Sequence, residues 1–265
     1  MTHLFLISRE KLLEMSRLGK PNQNIVAIIE ARMNSSRLPG KVLMKSTNKS
    51  MLEIMCTRLK SSKLIDQIVV ATTTNLSDDD LIRECERIGV ESYRGDEENV
   101  LSRVVEAMKE FNATIVVSLT ADCPLIDVAI VDKCIDSFVS GGYDYFSNCH
   151  IRSFPDGQDV QVIKPELLSD SLLRAGNPRE LEHVTLNIRN NISEYRHGIL
   201  IAEDDEYWPE LGITLDEARD YDLINCILKN FYPDINFDLS STLKFLRENP
   251  NIRSINEQVS RRGNN

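Results

Sequence analysis

IVAIIEARMNSSRLPGKVL, residues 25–43, reads as a buried strand running straight into a basic loop. Ile25, Val26, Ala27, Ile28 and Ile29 are apolar without alternation, the pattern of a strand covered on both faces. Such strands belong to parallel sheets, whose crossover connections are helices. The flanking sequence agrees. Residues 51–60 carry helical spacing, 68–71 form a second buried strand, 78–88 a helix and 90–93 a short strand. Residues 99–111 are helical, 115–119 are a third apolar strand, and Asp127 is a plausible N-cap for a helix reaching 138. The fold class is therefore α/β, a mostly parallel mixed sheet flanked by helices.

Regularity weakens after Gly141 and Gly142. Residues 143–147 and 159–163 read as strands, and Pro165 can open a helix over 166–174. The stretch 141–205 has the character of an insertion carrying substrate or subunit contacts. Residues 213–215 read as a returning strand, and Asp216 opens a helix through 231. The expected organisation is an N-terminal helical extension (1–22), a catalytic domain (23–240), and a C-terminal helix and tail (241–265).

Composition narrows the possible partners. With 265 residues, 41 acidic side chains against 31 basic ones and a formal charge of −10, the chain offers no general footprint for nucleic acid. An anionic ligand would need a local cationic pocket. No run approaches the ~20 apolar residues of a membrane span, and the apolar start stops at Arg9, too short for a signal-peptide core. The six cysteines (56, 85, 123, 134, 149 and 226) include no C-x-x-C pair, so they read as reduced thiols of a cytoplasmic protein without a zinc site.

Open parallel sheets bind ligands on the loops at the carboxyl ends of their strands. The loop after the first strand, 30–41, holds Arg32, Arg37 and Lys41 around Ser35, Ser36 and a Pro39-Gly40 turn. Small residues let backbone N–H groups approach an anion while the cations neutralise it. A loop of this composition is also compatible with a solvated surface pairing with carboxylates elsewhere. Asp122 leaves the third strand where a carboxylate can hold a hard divalent cation, or can simply belong to the turn before Pro124. Asp216 is placed either to cap a helix or to ligate, and the two roles are compatible. Together these make a phosphate cradle with two carboxylates at three strand ends, the equipment of nucleotidyl transfer. Asp78, Asp79 and Asp80 read as a solvated helix start, and His183 as a packing or hydrogen-bonding residue.

The stretch 25–43 resembles the signature of cytidylyltransferases that activate sugar acids, the acylneuraminate and 3-deoxy-manno-octulosonate enzymes, and most closely the spore-coat polysaccharide type. YRGDEENVLSR (93–103), LTADCPLID (119–127), FPDGQDVQV (154–162) and EHVT (182–185) agree with that type, and ITLDEARDYD (213–222) fits more loosely. The resemblance implies a nucleotide-diphospho-sugar-transferase-like, Rossmann-like domain that binds CTP and Mg²⁺, as a homodimer. It places Arg32 and Lys41 on the triphosphate with Ala31, Ser35, Ser36 and Arg37 beside them, and Arg103 on the nucleotide. It places Asp122 and Asp216 on Mg²⁺, and Asp156, Gln158, Asp159 and His183 near an acidic sugar acceptor. Two departures bear on that acceptor. Glu30 stands where Gln or Pro is common, and Leu181 stands where an Arg is common, with Arg179 two positions away. Rival readings keep the fold but change the acceptor to a phosphorylated alditol, a phosphonate or another acid, exchange CTP for UTP, or remove the activity.

Overall fold

The computed structural model describes residues 23–261. The helical extension expected over 1–22 lies outside the described residues. Ile25–Glu30 forms strand β1 at the heart of a seven-stranded sheet. A hairpin, β2 (Lys45–Ser46) and β3 (Lys49–Ser50), leads into α1 (Met51–Leu59), whose N-cap Ser50 accepts from the Glu53 N–H. Alternation then follows: β4 (Gln67–Thr73), α2 (Asp79–Ile88), β5 (Glu91–Gly95), α3 (Val100–Glu110), β6 (Ile115–Thr120) and α4 (Val128–Gly141). Asp127 caps α4 by accepting from the Ala129 N–H, as its position foretold.

The middle stretch adds β7 (Tyr145–Ser147), β8 (Gln161–Ile163), α5 (Pro165–Arg174), α6 (Pro178–Glu182), α7 (Leu186–Asn190) and β9 (His197–Ile199). The chain closes with α8 (Ala218–Phe231), α9 (Leu239–Glu248) and α10 (Pro250–Arg253). The strand order is β5-β4-β1-β6-β8-β7-β9. The pairs β5/β4, β4/β1, β1/β6 and β7/β9 are parallel, and only β8 runs against its neighbours. The sheet is thus mostly parallel and mixed, and the carboxyl ends of β4, β1 and β6 meet at one edge.

The unalternating apolar run of β1 has the consequence expected of it. Ile25, Ala27 and Ile29 pack into one core with α1, α4, α8 and α9, while Val26 and Ile28 pack into a second core with α3 and α5. Burying both faces of five such residues removes on the order of 2 kcal/mol each of apolar exposure, which fixes β1 centrally. The stretch 141–205 carries its strands into the same sheet, and Leu239, Leu243 and Leu246 of α9 join the first core.

Three expectations need correction. Among the described residues, 213–215 form no ladder strand; a single bridge, between Asp156 and Gly212, lies just before them. β6 already pairs with β1 on one side and β8 on the other, so it has no edge open to receive a returning strand beside Asp122. The segment instead bonds to loops, with the Leu215 N–H on the Asp122 carbonyl (2.7 Å) and the Ile213 N–H on the Asp156 carbonyl (2.8 Å). β7 starts at Tyr145 because Tyr143, just past the end of α4, is still tied to that helix, its N–H bonding the Phe138 carbonyl (3.2 Å). β8 starts at Gln161 because the Val160 N–H is taken by the Asn148 side chain (2.8 Å).

Candidate active site

Three loops converge at the carboxyl edge. The first leaves β1 and folds back on itself, the N–H groups of Ser35 (3.0 Å) and Gly40 (2.8 Å) both bonding the Met33 carbonyl. Gly40 has φ +71°, a left-handed conformation that glycine adopts without strain. The loop is held to the end of β4 by Asp78, which accepts from the Met33 N–H (2.8 Å), from the Thr72 hydroxyl (2.8 Å) and from the Thr73 hydroxyl (2.6 Å). Asp78 is 1% exposed, so it is not the solvated helix start that its acidic run suggested. Burial opposes its charge, but these donors outweigh the burial and hold its carboxyl below the ordinary value.

The second loop carries Asp122 out of β6, and the third carries Asp216 into α8. Their approach is set by backbone: the Asp122 carbonyl accepts from the Leu215 N–H (2.7 Å) and from the Thr214 hydroxyl (3.1 Å). The cap of α8 is Glu217, in a capping box with Asp220, so the Asp216 carboxylate is left free of capping duty. Asp220, fully buried, instead receives the Asp216 N–H (3.0 Å) and the Glu217 N–H (2.9 Å), with Asn256 and Arg261 completing its shell.

The Lys41 ammonium lies between the two carboxylates, 3.0 Å from Asp122 Oδ2 and 3.1 Å from Asp216 Oδ1. Arg37 Nη2 meets the same Asp216 oxygen at 2.9 Å. Burial works against the Lys41 charge, but Asp122 and Asp216 outweigh it and hold the ammonium above ordinary lysine. Asp122 is the mirror case: burial opposes its charge, and Lys41 with the Thr120 hydroxyl holds its carboxyl below the usual range. Residues from three stretches 81 and 94 positions apart thus share one cluster.

A cleft of about 300 Å³ opens on this cluster. Its lining includes Ala31, Arg32, Ser35, Ser36, Arg37, Lys41, Arg103, Asp122, His183 and Asp216, all named from sequence, together with Glu30, Val100 and Glu182. Arg32 makes no ion pair among the described residues, so its charge is available to a ligand. Arg103 is 2% exposed, and its guanidinium donates to the Asp96 carbonyl (2.5 Å) in the cleft wall. Its Nε is buried without a partner. His183 ends α6, exposed at the rim rather than packed. Glu30, half-buried at the end of β1, has its carboxyl raised to about 7: burial is the chief cause, the Asp122 charge adds to it, and Arg103 and Ser118 oppose it.

Three residues expected near an acceptor do not line this cleft. Gln158 is fully buried and its amide is spent on the chain, accepting from the Asp127 N–H (2.8 Å) and donating to the Leu125 carbonyl (2.9 Å). It shapes the Asp122 loop instead of facing it. Asp159 is engaged by Arg152 through two bonds (3.0 and 2.9 Å), and Asp156 stands 3.8 Å from the same guanidinium. The carboxyl of Asp156 is raised to about 6, by burial first and then by Asp159, against the pull of Arg152 and Arg261.

A larger cavity, about 630 Å³, opens at the opposite edge among Leu59, Ile68, Val90 and Phe111. Of its charged groups Lys60, Asp66 and Glu91, the first two already bond the backbone at Ile88 and Ile25, so it carries no comparable cluster.

Among the described residues, no three His, Cys, Asp or Glu side chains gather into a self-sufficient metal site. Asp122 and Asp216 nevertheless face one shared cation, Lys41 Nζ. Two carboxylates so placed suit Mg²⁺, which usually takes one or two carboxylates and completes its shell from substrate phosphates and water.

Comparison with known proteins agrees with this geometry. The cytidylyltransferase family profile matches residues 26–257. The chain is 32% identical over 239 residues to the spore coat polysaccharide biosynthesis protein SpsF of Bacillus subtilis, covering 88% of this chain and 98% of that protein. It is 37% identical over 115 residues to the 3-deoxy-manno-octulosonate cytidylyltransferase of Geobacter sulfurreducens, covering 42% and 44% of the two chains. A solved cytidylyltransferase structure from Leptospira borgpetersenii superposes with a TM-score of 0.85 at 29% identity, covering 91% of this chain and all of that one.

Proposed function

Because this chain belongs to the cytidylyltransferase family, enzymes that use CTP, we propose that it transfers CMP to a hydroxyl of a sugar acid and releases pyrophosphate. The observation that carries the reading is the Lys41 ammonium held 3.0 and 3.1 Å from two carboxylates on a cleft lined by three further cations. The acceptor class is supported by the relationship to the 3-deoxy-manno-octulosonate enzyme, and a role in surface polysaccharide by the relationship to the spore coat protein.

In the reaction the acceptor oxygen bonds to the α-phosphorus, the bond from phosphorus to the β-phosphate oxygen breaks, and the hydroxyl proton passes to solvent. Such transfers depend on alignment and charge neutralisation, not on covalent help from the protein. Arg32, which makes no ion pair among the described residues, would meet the incoming triphosphate, and Arg37 and Lys41 would neutralise the departing pyrophosphate. Ser35 and Ser36 leave room for phosphate oxygens to approach the loop backbone. Asp122 and Asp216 would hold Mg²⁺, which when bound neutralises phosphate charge and lowers the pKa of a coordinated hydroxyl. Val100 and Arg103 wall the cleft where the nucleoside would lie.

The six cysteines are free, in keeping with a reducing cytoplasm, and no described helix is long and apolar enough to cross a membrane. A homodimer belongs to the same proposal, and light scattering of the full chain tests it.

The experiment is pyrophosphate release from CTP or UTP with Mg²⁺ over a panel of sugar acids. Asp122→Asn and Asp216→Asn should each lower turnover about 100-fold or more, on the scale of a lost electrostatic contact to the transition state. Near-normal turnover in both variants, or release that prefers UTP, refutes the reading.

A further inference from the structure

The arrangement of Lys41 has a consequence for the order in which ligands arrive. Its ammonium, on a side chain 11% exposed, bonds both carboxylates that would hold the metal, and Arg37 adds a second cation on the same Asp216 oxygen. The two negative charges are therefore already matched by two positive ones. A divalent cation entering that shell would add two charges beside an ammonium from which it is barely screened. The ammonium must leave first, and it leaves only for another anion, since a buried cation without a partner is costly.

We propose that Lys41 is an internal cation that bars divalent metal from the Asp122–Asp216 pair until the phosphates of a nucleotide draw it away, so that metal and CTP enter together. The inference rests on the function proposed above. Lysine suits such a role because its charge sits at the end of a flexible four-carbon stem, and its donors follow whichever anion is nearer. A triphosphate is the stronger lure. It offers several anionic oxygens at once, and Arg32 on the same loop, without an ion pair among the described residues, lines the cleft that would receive it. Moving one ammonium from carboxylates to phosphates then uncovers both ligands in a single step. The coupling is reciprocal: metal improves nucleotide affinity by the same factor as nucleotide improves metal affinity.

The test uses the full chain stripped of metal, with Mn²⁺ as the probe, read by loss of its free EPR signal and by thermal unfolding. Wild type should take up no Mn²⁺ at ~0.1 mM without nucleotide, and its midpoint should be indifferent to the ion. Lys41→Met and Lys41→Gln should unfold at lower temperature in chelator, bind Mn²⁺ at least about tenfold more tightly than wild type, and recover stability as the ion is added. Adding Asp122→Asn to either variant should abolish that recovery. Tight Mn²⁺ binding by nucleotide-free wild type overturns the proposal whether or not the variants fold. Equal affinity in wild type and Lys41→Met overturns it as well. CTP with Mg²⁺ is run separately against wild type. No shift there alongside metal rescue of Lys41→Met would sink the functional reading, and with it the release by nucleotide, and leave only the exclusion of metal by Lys41; a shift without metal rescue would keep the functional reading and overturn the exclusion.

Discussion

Glu30→Gln separates the burial of a carboxyl from its chemistry. Glu30 sits half-buried at the end of β1, accepting one long hydrogen bond from Ser118 (3.3 Å), and its carboxyl is raised from 4.5 to about 7 chiefly by burial. A carboxyl raised on folding is protonated more readily in the native protein than in the unfolded chain. Its effect on stability is therefore neutral below about pH 4.5, becomes steadily less favourable through pH 7, and levels off above. At 1.36 kcal/mol per pH unit, the rise from 4.5 to about 7 costs at most about 3.4 kcal/mol at pH 8. Water reaching the cleft screens the charge, and about 1–2 kcal/mol is the expected measured value. Glutamine keeps the shape and cannot ionise. Urea unfolding of the two proteins should thus show Glu30→Gln more stable by that amount at pH 8, with the gain fading to near zero by pH 4. CTP affinity should follow the same course, because the carboxylate that appears near pH 7 faces the cleft meant for phosphates. A gain that is equal at pH 4 and pH 8 would show that packing, not ionisation, distinguishes the variants, and would refute the burial argument.

Other outcomes follow from the contacts that hold the loops. Arg58 is 3% exposed and donates to the carbonyls of Ile126 (2.8 Å) and Phe237 (2.8 Å), as well as to Ile235, tying α1 to the Asp122 loop and to the segment before α9. Arg58→Ala should cost about 3 kcal/mol or more in urea unfolding, because those carbonyls are left without donors. Gly157 has φ +107°, and a Cβ there would stand 2.7 Å from the Thr214 nitrogen and 2.8 Å from the Ile213 carbonyl carbon. Gly157→Ala should displace the segment that carries Asp216 and lower turnover at least about tenfold, in excess of any loss of fold seen by circular dichroism. Asp78→Asn should loosen the basic loop and raise KM for CTP, while kcat at saturation falls less, since Asp78 touches Met33 and not the cleft.

How much of this was legible in the sequence depends on whether a residue acts through composition or through distance. The strand β1 was legible because five apolar residues without alternation admit few other positions in an α/β fold. The loop leaving it was legible as a cation cluster, and Asp122 as a strand-end carboxylate; Asp216 was legible as a carboxylate of the site, though not at the end of a strand. Asp78 was not, because a run of three aspartates looks like surface charge. The signal that separates it from its neighbours is the pair of hydroxyls at Thr72 and Thr73, six and five residues before it, which need an acceptor once β4 is buried. Gln158 failed in the opposite sense. A polar residue in the turn FPDGQD reads as facing solvent or ligand, yet the turn buries the N–H of Asp127 and the carbonyl of Leu125, and the glutamine amide answers both, its oxygen accepting and its nitrogen donating.

The returning segment 213–215 shows why convergence itself is hard to read locally. Its apolar residues and its place before an acidic pair suggested a strand, and a strand would have set Asp216 by ladder register. What sets Asp216 is different: two backbone bonds to loops, a glycine at 157 that allows the close approach, and a capping box that relieves the carboxylate of helix duty. None of these groups touches the cleft, and each is worth only about 1–2 kcal/mol. Yet displacing any one of them by a fraction of an ångström would move a carboxylate out of reach of Lys41 at 3.1 Å. The chemistry of this site resides in residues that composition announces, while its precision resides in backbone partners that only the folded chain brings together.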